Sequence, residues 1–129
     1  MRLPIRIAAY LWASPNTCVG IALGLVLGGK FAFVDGVFEI HGPRISKLLS
    51  KLWVSAAAMT LGHAVLGQSA FYLHITRSHE RVHVRQYERW GPLFIPTYLI
   101  LSAALFAIGK DGYRSNPFEI EAFEEADVS

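Results

Sequence analysis

Ser78-His79-Glu80-Arg81-Val82-His83-Val84-Arg85-Gln86 carries the pattern His-Glu-x-x-His inside a run that reads as helix. Residues four apart on an α-helix lie one above the other on the same face, so the imidazoles of His79 and His83 can converge on one point. Such a point suits a metal ion. Zinc takes His nitrogen at about 2.0–2.1 Å and, in catalytic sites, keeps one position open for water. Glu80 lies about 100° round the helix from His79, where its carboxylate can reach a zinc-bound water without becoming a ligand. The expected chemistry is hydrolysis of a peptide bond. Zinc acidifies the water and polarises the carbonyl, and Glu80 takes the proton as general base.

Working outward, this helix is expected to start near Gln68 or Ser69 and to run to Trp90, where Gly91-Pro92 ends it. His79, His83, Gln86 and Trp90 follow one stripe. Arg77, Arg81, Arg85, Glu88 and Arg89 lie mainly on another, which reads as a face for solvent or lipid headgroups, with Arg85 and Glu88 spaced to pair locally. His74 falls off the ligand stripe. Upstream, Ser55 to Leu66 is ambiguous in period. Gly62, Gly67 and the place just before the motif helix favour a strand over 58–66. Such a strand would offer its edge to the backbone of a substrate, with His63 as a candidate for the cleft wall.

The chain of 129 residues is long enough for one domain with a core. Hydrophobic residues make up 53% and charged residues 17%, against about 25% charged in ordinary soluble chains, and the mean hydropathy is +0.35. Contact with membrane lipid is therefore expected. A formal charge of +2, with no basic run interleaved with aromatics, speaks against nucleic acid as a partner. The single cysteine, Cys18, excludes an internal disulfide framework and reads as a small buried apolar residue.

At the amino end a basic start precedes an apolar segment ending at Gly29, long enough to span about 30 Å of hydrocarbon, with Pro15 and Asn16 expected to kink it. Two shorter helices joined at Pro15 are the other reading. Gly20-x-x-x-Gly24-x-x-x-Gly28 presents a smooth stripe for another helix. Asp35-Gly36 between β-branched and aromatic runs predicts a hairpin over 31–41, and Arg44 to Trp53 reads as a short amphipathic helix with a basic face. After the motif helix, Leu93 to Gly109 is an apolar run with Pro96 near its start. Lys110-Asp111-Gly112 then turns the chain, and Asn116 and Pro117 open an acidic helix as N-cap and first residue.

The motif helix, followed some tens of residues later by Glu119-Ile120-Glu121-Ala122, resembles the gluzincin clan of zinc metallopeptidases over 57–126. In that clan the glutamate of a downstream Glu-x-x-Ala is the third zinc ligand, so the resemblance gives that role to Glu119, with Glu121 as the alternative. More narrowly, His79 to Pro92 together with Asn116-Pro117-Phe118-Glu119 looks like a family of small, hydrophobic, functionally uncharacterised bacterial proteins. Phe123 stands where the clan often has an aspartate that supports a ligand histidine, so Glu124 or Asp127 would have to replace it.

The whole reading is an α+β fold, mostly helical, with a zincin-like active-site helix, a small β-hairpin or edge strand and an apolar membrane-associated amino-terminal helix, in one domain of 1–129. It implies a membrane-associated zinc metallopeptidase acting on a peptide or protein substrate, with Tyr113, Arg114 and His63 as candidate oxyanion helpers. The alternative is a catalytically silent membrane-associated protein with a structural zinc site. A weaker rival ligates haem through His63 and His74. If His79, His83 and Glu119 share one ion, segment 93–109 cannot cross a bilayer alone, because that would part them by about 30 Å. It is expected to dip into the interface or pack on the motif helix and lead back. The basic residues of 30–89 then favour a cytoplasmic catalytic part.

Overall fold

Residues 3–51 and 57–126 are described by a computed structural model. The amino-terminal segment forms one helix, α1 (Leu3–Val26), which continues through Pro15 without the expected break. Proline cannot donate to the carbonyl four residues back. That carbonyl, on Leu11, accepts instead from the Ser14 hydroxyl at 2.7 Å. Cys18 is exposed on α1 rather than buried.

The hairpin forms as expected, with β1 (Lys30–Val34) and β2 (Val37–His41) antiparallel across Asp35-Gly36. Both turn residues have positive φ, 50° and 82°, as a two-residue hairpin loop of this kind requires. The amphipathic helix α2 (Pro43–Ser50) follows, with Ile45 and Leu49 buried and Arg44 and Lys47 exposed. Leu52 and Trp53, also expected in it, lie outside the described residues.

The strand expected over 58–66 is in fact two strands. β3 (Ala58–Leu61) turns at Gly62-His63 into β4 (Ala64–Gly67), and the two pair antiparallel. Gly62 has φ 63°, and a Cβ there would meet Thr17 N at 2.7 Å and Ala13 O at 2.8 Å, so the turn can sit on α1 only as glycine. His63 N donates to Thr17 Oγ1 at 2.8 Å and fastens the turn to the helix. The sheet order is β1-β2-β4-β3, with β2 and β4 parallel. β3 is therefore an edge strand.

The motif helix α3 (Ala70–Trp90) is capped by Ser69, whose hydroxyl accepts from Tyr72 N. A 3-10 turn (Gly91–Leu93) leads into α4 (Phe94–Ala107), and α5 (Pro117–Ala126) returns to α3. Side chains alternate across the sheet. Ile40, Leu61, Ala64 and Leu66 gather with Ile45 and Leu49 of α2 and with Leu23 and Leu27. Val37 and Val65 gather with Leu73 and Val84 of α3. The glycine stripe of α1 serves this packing, with Gly20 against Ala64 and Leu61 and Gly24 against Phe31 and Ile40. A third cluster joins Ala13, Tyr87, Phe94 and Phe118, where α1, α3, α4 and α5 meet.

The architecture is thus α+β and mostly helical, with a four-stranded sheet and an apolar amino-terminal helix. By length and composition two helical stretches can cross a membrane, Pro4–Val26 and Ala70–Ala107. α1 is not a separate anchor, however. It holds Gly36 O through the Tyr10 hydroxyl at 2.6 Å near one end and packs on Ile40 through Gly24 near the other.

Candidate metal centre

The 3.6-residue period of α3 brings the rings of His79 and His83 to a centroid distance of 5.0 Å on one face. His79, Glu80 and His83 each offer a ligand atom within 4.8 Å of the others, so the group can hold a metal ion. Glu119 arrives from α5. Its Oε1 lies 3.2 Å from His79 Nε2 and 2.9 Å from His83 Nε2. Its Oε2 accepts from the Tyr98 hydroxyl of α4 at 2.6 Å. Glu121 points elsewhere and accepts from Gln86 Nε2 at 2.7 Å and from Arg89 at 3.2 Å.

Asn116 is what aims α5. Its Oδ1 accepts from Phe118 N at 3.0 Å as an N-cap, while its Nδ2 donates to Tyr98 O and to Ser102 Oγ. One buried side chain therefore starts the helix and ties that start to α4, so Glu119 and Tyr98 reach the same place.

Support for the histidines comes from a residue other than those expected. His83 Nδ1 pairs with Gln86 Oε1 at 2.7 Å, and Gln86 Nε2 donates onward to Phe118 O and Glu121. An amide oxygen there accepts Nδ1–H, which leaves Nε2 facing Glu119 without a proton of its own in the neutral ring. Glu124 is exposed, and Asp127 lies outside the described residues. Phe123 packs on His79 with ring centroids 4.5 Å apart.

Glu80 is buried, and its Oε1 accepts from Thr60 Oγ1 of β3 at 3.0 Å. Its Oε2 stands 3.8 Å from His79 Nε2. Burial pushes its pKa up, and although the charges of His83 and His79 oppose this, the net direction is upward. For His83, burial alone acts downward. The bond to Glu119, the charges of Glu80 and Glu119 and the bond to Gln86 outweigh it and hold the ring at about 9. Burial would raise Glu119, but its bonds to His79, His83 and Tyr98, with the His83 charge, hold it at about 2.

These groups line one wall of a cavity of about 660 Å³, whose other walls include β3, Ile75, Phe94, Leu99 and Tyr113. In β3 the bond from Gln68 N to Ala57 O and the pairing register turn Ala57 and Met59 toward β4, so the peptide groups of Ala58 and Thr60 face away from it. Thr60 O takes the Tyr87 hydroxyl at 2.9 Å.

His63 is not in this cavity. Its ring stacks on Tyr10 at 3.9 Å and its Nε2 pairs with Glu88 Oε2 at 2.8 Å, while His74 is exposed on α3. Of the other oxyanion candidates, Tyr113 lines the cavity and Arg114 lies over the Phe123 ring. The expected pairing of Arg85 with Glu88 does not form. Arg85 reaches Glu125 of α5 at the surface, and Arg77 and Arg81 both bind the buried Glu39 of β2, so two of the five residues of the supposed solvent face belong to a partly buried ion cluster.

Thr60 and Tyr98 are the site residues that sequence reasoning missed. Neither carries a local signal, because each reaches the site from a separate element. Gln86 had one, since it lies three residues after His83 on the same stripe. No family model, curated protein or solved structure matches this chain.

Proposed function

We propose that the protein is a membrane-associated zinc metallopeptidase of gluzincin type, with His79, His83 and Glu119 as ligands and Glu80 as general base. The observation that carries this reading is the shared position of Glu119 Oε1, 3.2 and 2.9 Å from the two histidine nitrogens. Two atoms each about 2.0–2.1 Å from a zinc ion at a tetrahedral angle stand about 3.3–3.4 Å apart, so small adjustments admit the ion between them. The donor set of two imidazoles and one carboxylate is one that zinc takes in hydrolytic sites. A zinc ion held there supplies Lewis-acid polarisation of a carbonyl and lowers the pKa of water.

The two carboxylates divide the work by position. Glu119 is nearly equidistant from both histidines, and Tyr98 holds its second oxygen away from the centre. Glu80 is anchored by Thr60 and farther from His79, which suits a base that accepts a proton from the attacking water and returns it to the leaving amine. An extended peptide can pair with the outward groups of Ala58 in β3, two residues before the Thr60 that holds Glu80. Membrane association is supported by the two apolar helical stretches, and the basic residues of 30–89 favour a cytoplasmic site.

Metal analysis combined with a peptidase assay tests the reading. Glu80→Gln is expected to keep one zinc per chain and to lose cleavage, whereas Glu119→Gln loses the zinc. Cleavage by Glu80→Gln at the wild-type rate would remove the hydrolytic mechanism.

A further inference from the structure

Arg81, Arg85 and Glu88 stand roughly 180–240° round α3 from His79, on the side away from the metal centre. There they line a second, open cavity of about 340 Å³, bordered on its other sides by Arg6 and Tyr10 of α1, the Asp35-Gly36 turn and His63. Among the described residues just two buried side-chain nitrogen or oxygen atoms lack a hydrogen-bond partner, His63 Nδ1 and Arg81 Nε. Both belong to residues lining this cavity. An arginine Nε–H can only donate, so the partner Arg81 lacks is an acceptor. Buried polar groups left in this way are uncommon; a bound anion would answer the Arg81 donor, whereas His63 Nδ1, with Nε2 donating to Glu88, is an acceptor in the neutral ring.

The charges point the same way. Arg6 makes no hydrogen bond or ion pair with any described residue. Arg85 meets Glu125 at 3.1 Å with both side chains about half exposed, a pair that contributes little and can be exchanged. The nearby carboxylates are largely engaged. Glu88 binds His63 and Glu39 binds Arg77 and Arg81, while Asp35 at the rim makes no ion pair with a described residue.

We propose that this cavity is an oxyanion site that takes a phosphoryl group, held by the guanidinium groups of Arg6, Arg81 and Arg85. Guanidinium forks match the oxygens of a phosphate in pairs, and here they come from two helices onto one space. Ile5, Ile7 and Leu11 flank Arg6 and are exposed, so a phospholipid headgroup would have an apolar surface beside it for its chains. A soluble phosphate offers the same chemistry without the chains.

The test compares Arg6→Gln with Arg85→Gln in one full-length protein against a control carrying Arg44→Gln and Lys47→Gln, which removes two charges from the exposed face of α2. Inorganic phosphate is titrated calorimetrically into the protein in nonionic detergent. Flotation is measured with phosphatidylcholine vesicles, with and without phosphatidylglycerol. The cavity variant is expected to weaken binding of phosphate, or of the phosphatidylglycerol vesicles, by about tenfold or more, and the control to stay within about twofold. A response to phosphate assigns the site to a soluble ligand. A response confined to phosphatidylglycerol assigns it to lipid. The site is overturned if the wild type binds neither probe, or if both variants weaken equally, which would mean only a general charge effect. Circular dichroism checks the fold, and should the double variant unfold, Arg6→Gln alone, on an exposed side chain, carries the comparison.

Discussion

His83 shows how much one residue is asked to do at this centre. It faces Glu119 through Nε2 and Gln86 through Nδ1, and without metal it holds a proton up to about 9. A histidine whose folded pKa stands above the ordinary 6.5 adds stability that is complete below pH 6.5 and is lost as pH rises through 9. Glu119, held at about 2 against an ordinary 4.5, adds stability that is present above pH 4.5 and lost as pH falls toward 2. The metal-free protein is therefore expected to lose thermal stability between pH 6.5 and 9. A melting series in chelator checks this, and a midpoint that climbs across that window contradicts it. In the proposed zinc site the metal would have to displace the same proton, so apparent zinc affinity should rise by up to about tenfold per pH unit over that range. His79→Ala and His83→Ala should each lose zinc by metal analysis, and full occupancy in either would take that histidine out of the site.

At the scale of elements, α1 acts as a clamp on the end of the motif helix. The last carbonyls of a helix have no partners within it. Here Trp12 Nε1 donates to Arg89 O at 3.2 Å and the buried Asn16 Nδ2 donates to Gly91 O at 3.0 Å. Gly91 has φ 54° and lies so close under the Trp12 ring that a Cβ would stand 2.4 Å from it. Gly91 O also accepts from Phe94 N–H, so Asn16→Ala removes one of its two donors and is expected to cost about 0.5–1.5 kcal/mol. Denaturant melts in detergent check the figure; an unchanged midpoint would mean that the clamp contributes nothing. Pro15 and Asn16 thus read in the sequence as a break because their local effect is visible there. Their tertiary use, a polar grip on an element some 75 residues away, is not.

For the whole molecule the constraint is that α4 leaves the motif helix and α5 comes back to it. Tyr98 and Asn116 fasten the return, and Glu119 stands beside His79. Ser78 and Ser115 therefore belong to the same side of any membrane. In a Cys18→Ser background, needed because Cys18 is exposed, Ser78→Cys and Ser115→Cys are expected to respond alike to an impermeant thiol reagent added outside intact cells. Labelling of one with protection of the other would break the shared centre. α1 moves with the body of the protein in this arrangement. Its exposed apolar residues, among them Leu11, Val19, Leu25 and Val26, and those of α4, Leu99, Ile100 and Phe106, are the surfaces that the proposed membrane association would offer to lipid.

By itself the sequence determined whatever depends on near neighbours in the chain. The positive φ of Asp35-Gly36 made a hairpin legible, the period of α3 put His79 and His83 on one face, and Asn116-Pro117 announced a helix start. Tertiary structure alone decided the rest. The run 58–66 folds as two strands because α1 passes close enough to Gly62 to exclude a side chain there, a fact held in Ala13 and Thr17. Arg77 and Arg81 turn inward because β2 places Glu39 opposite them. His63 faces a second cavity because the turn that carries it is fastened to α1. Each of these depends on a partner at least 38 residues away, and local propensity contains no term for such partners.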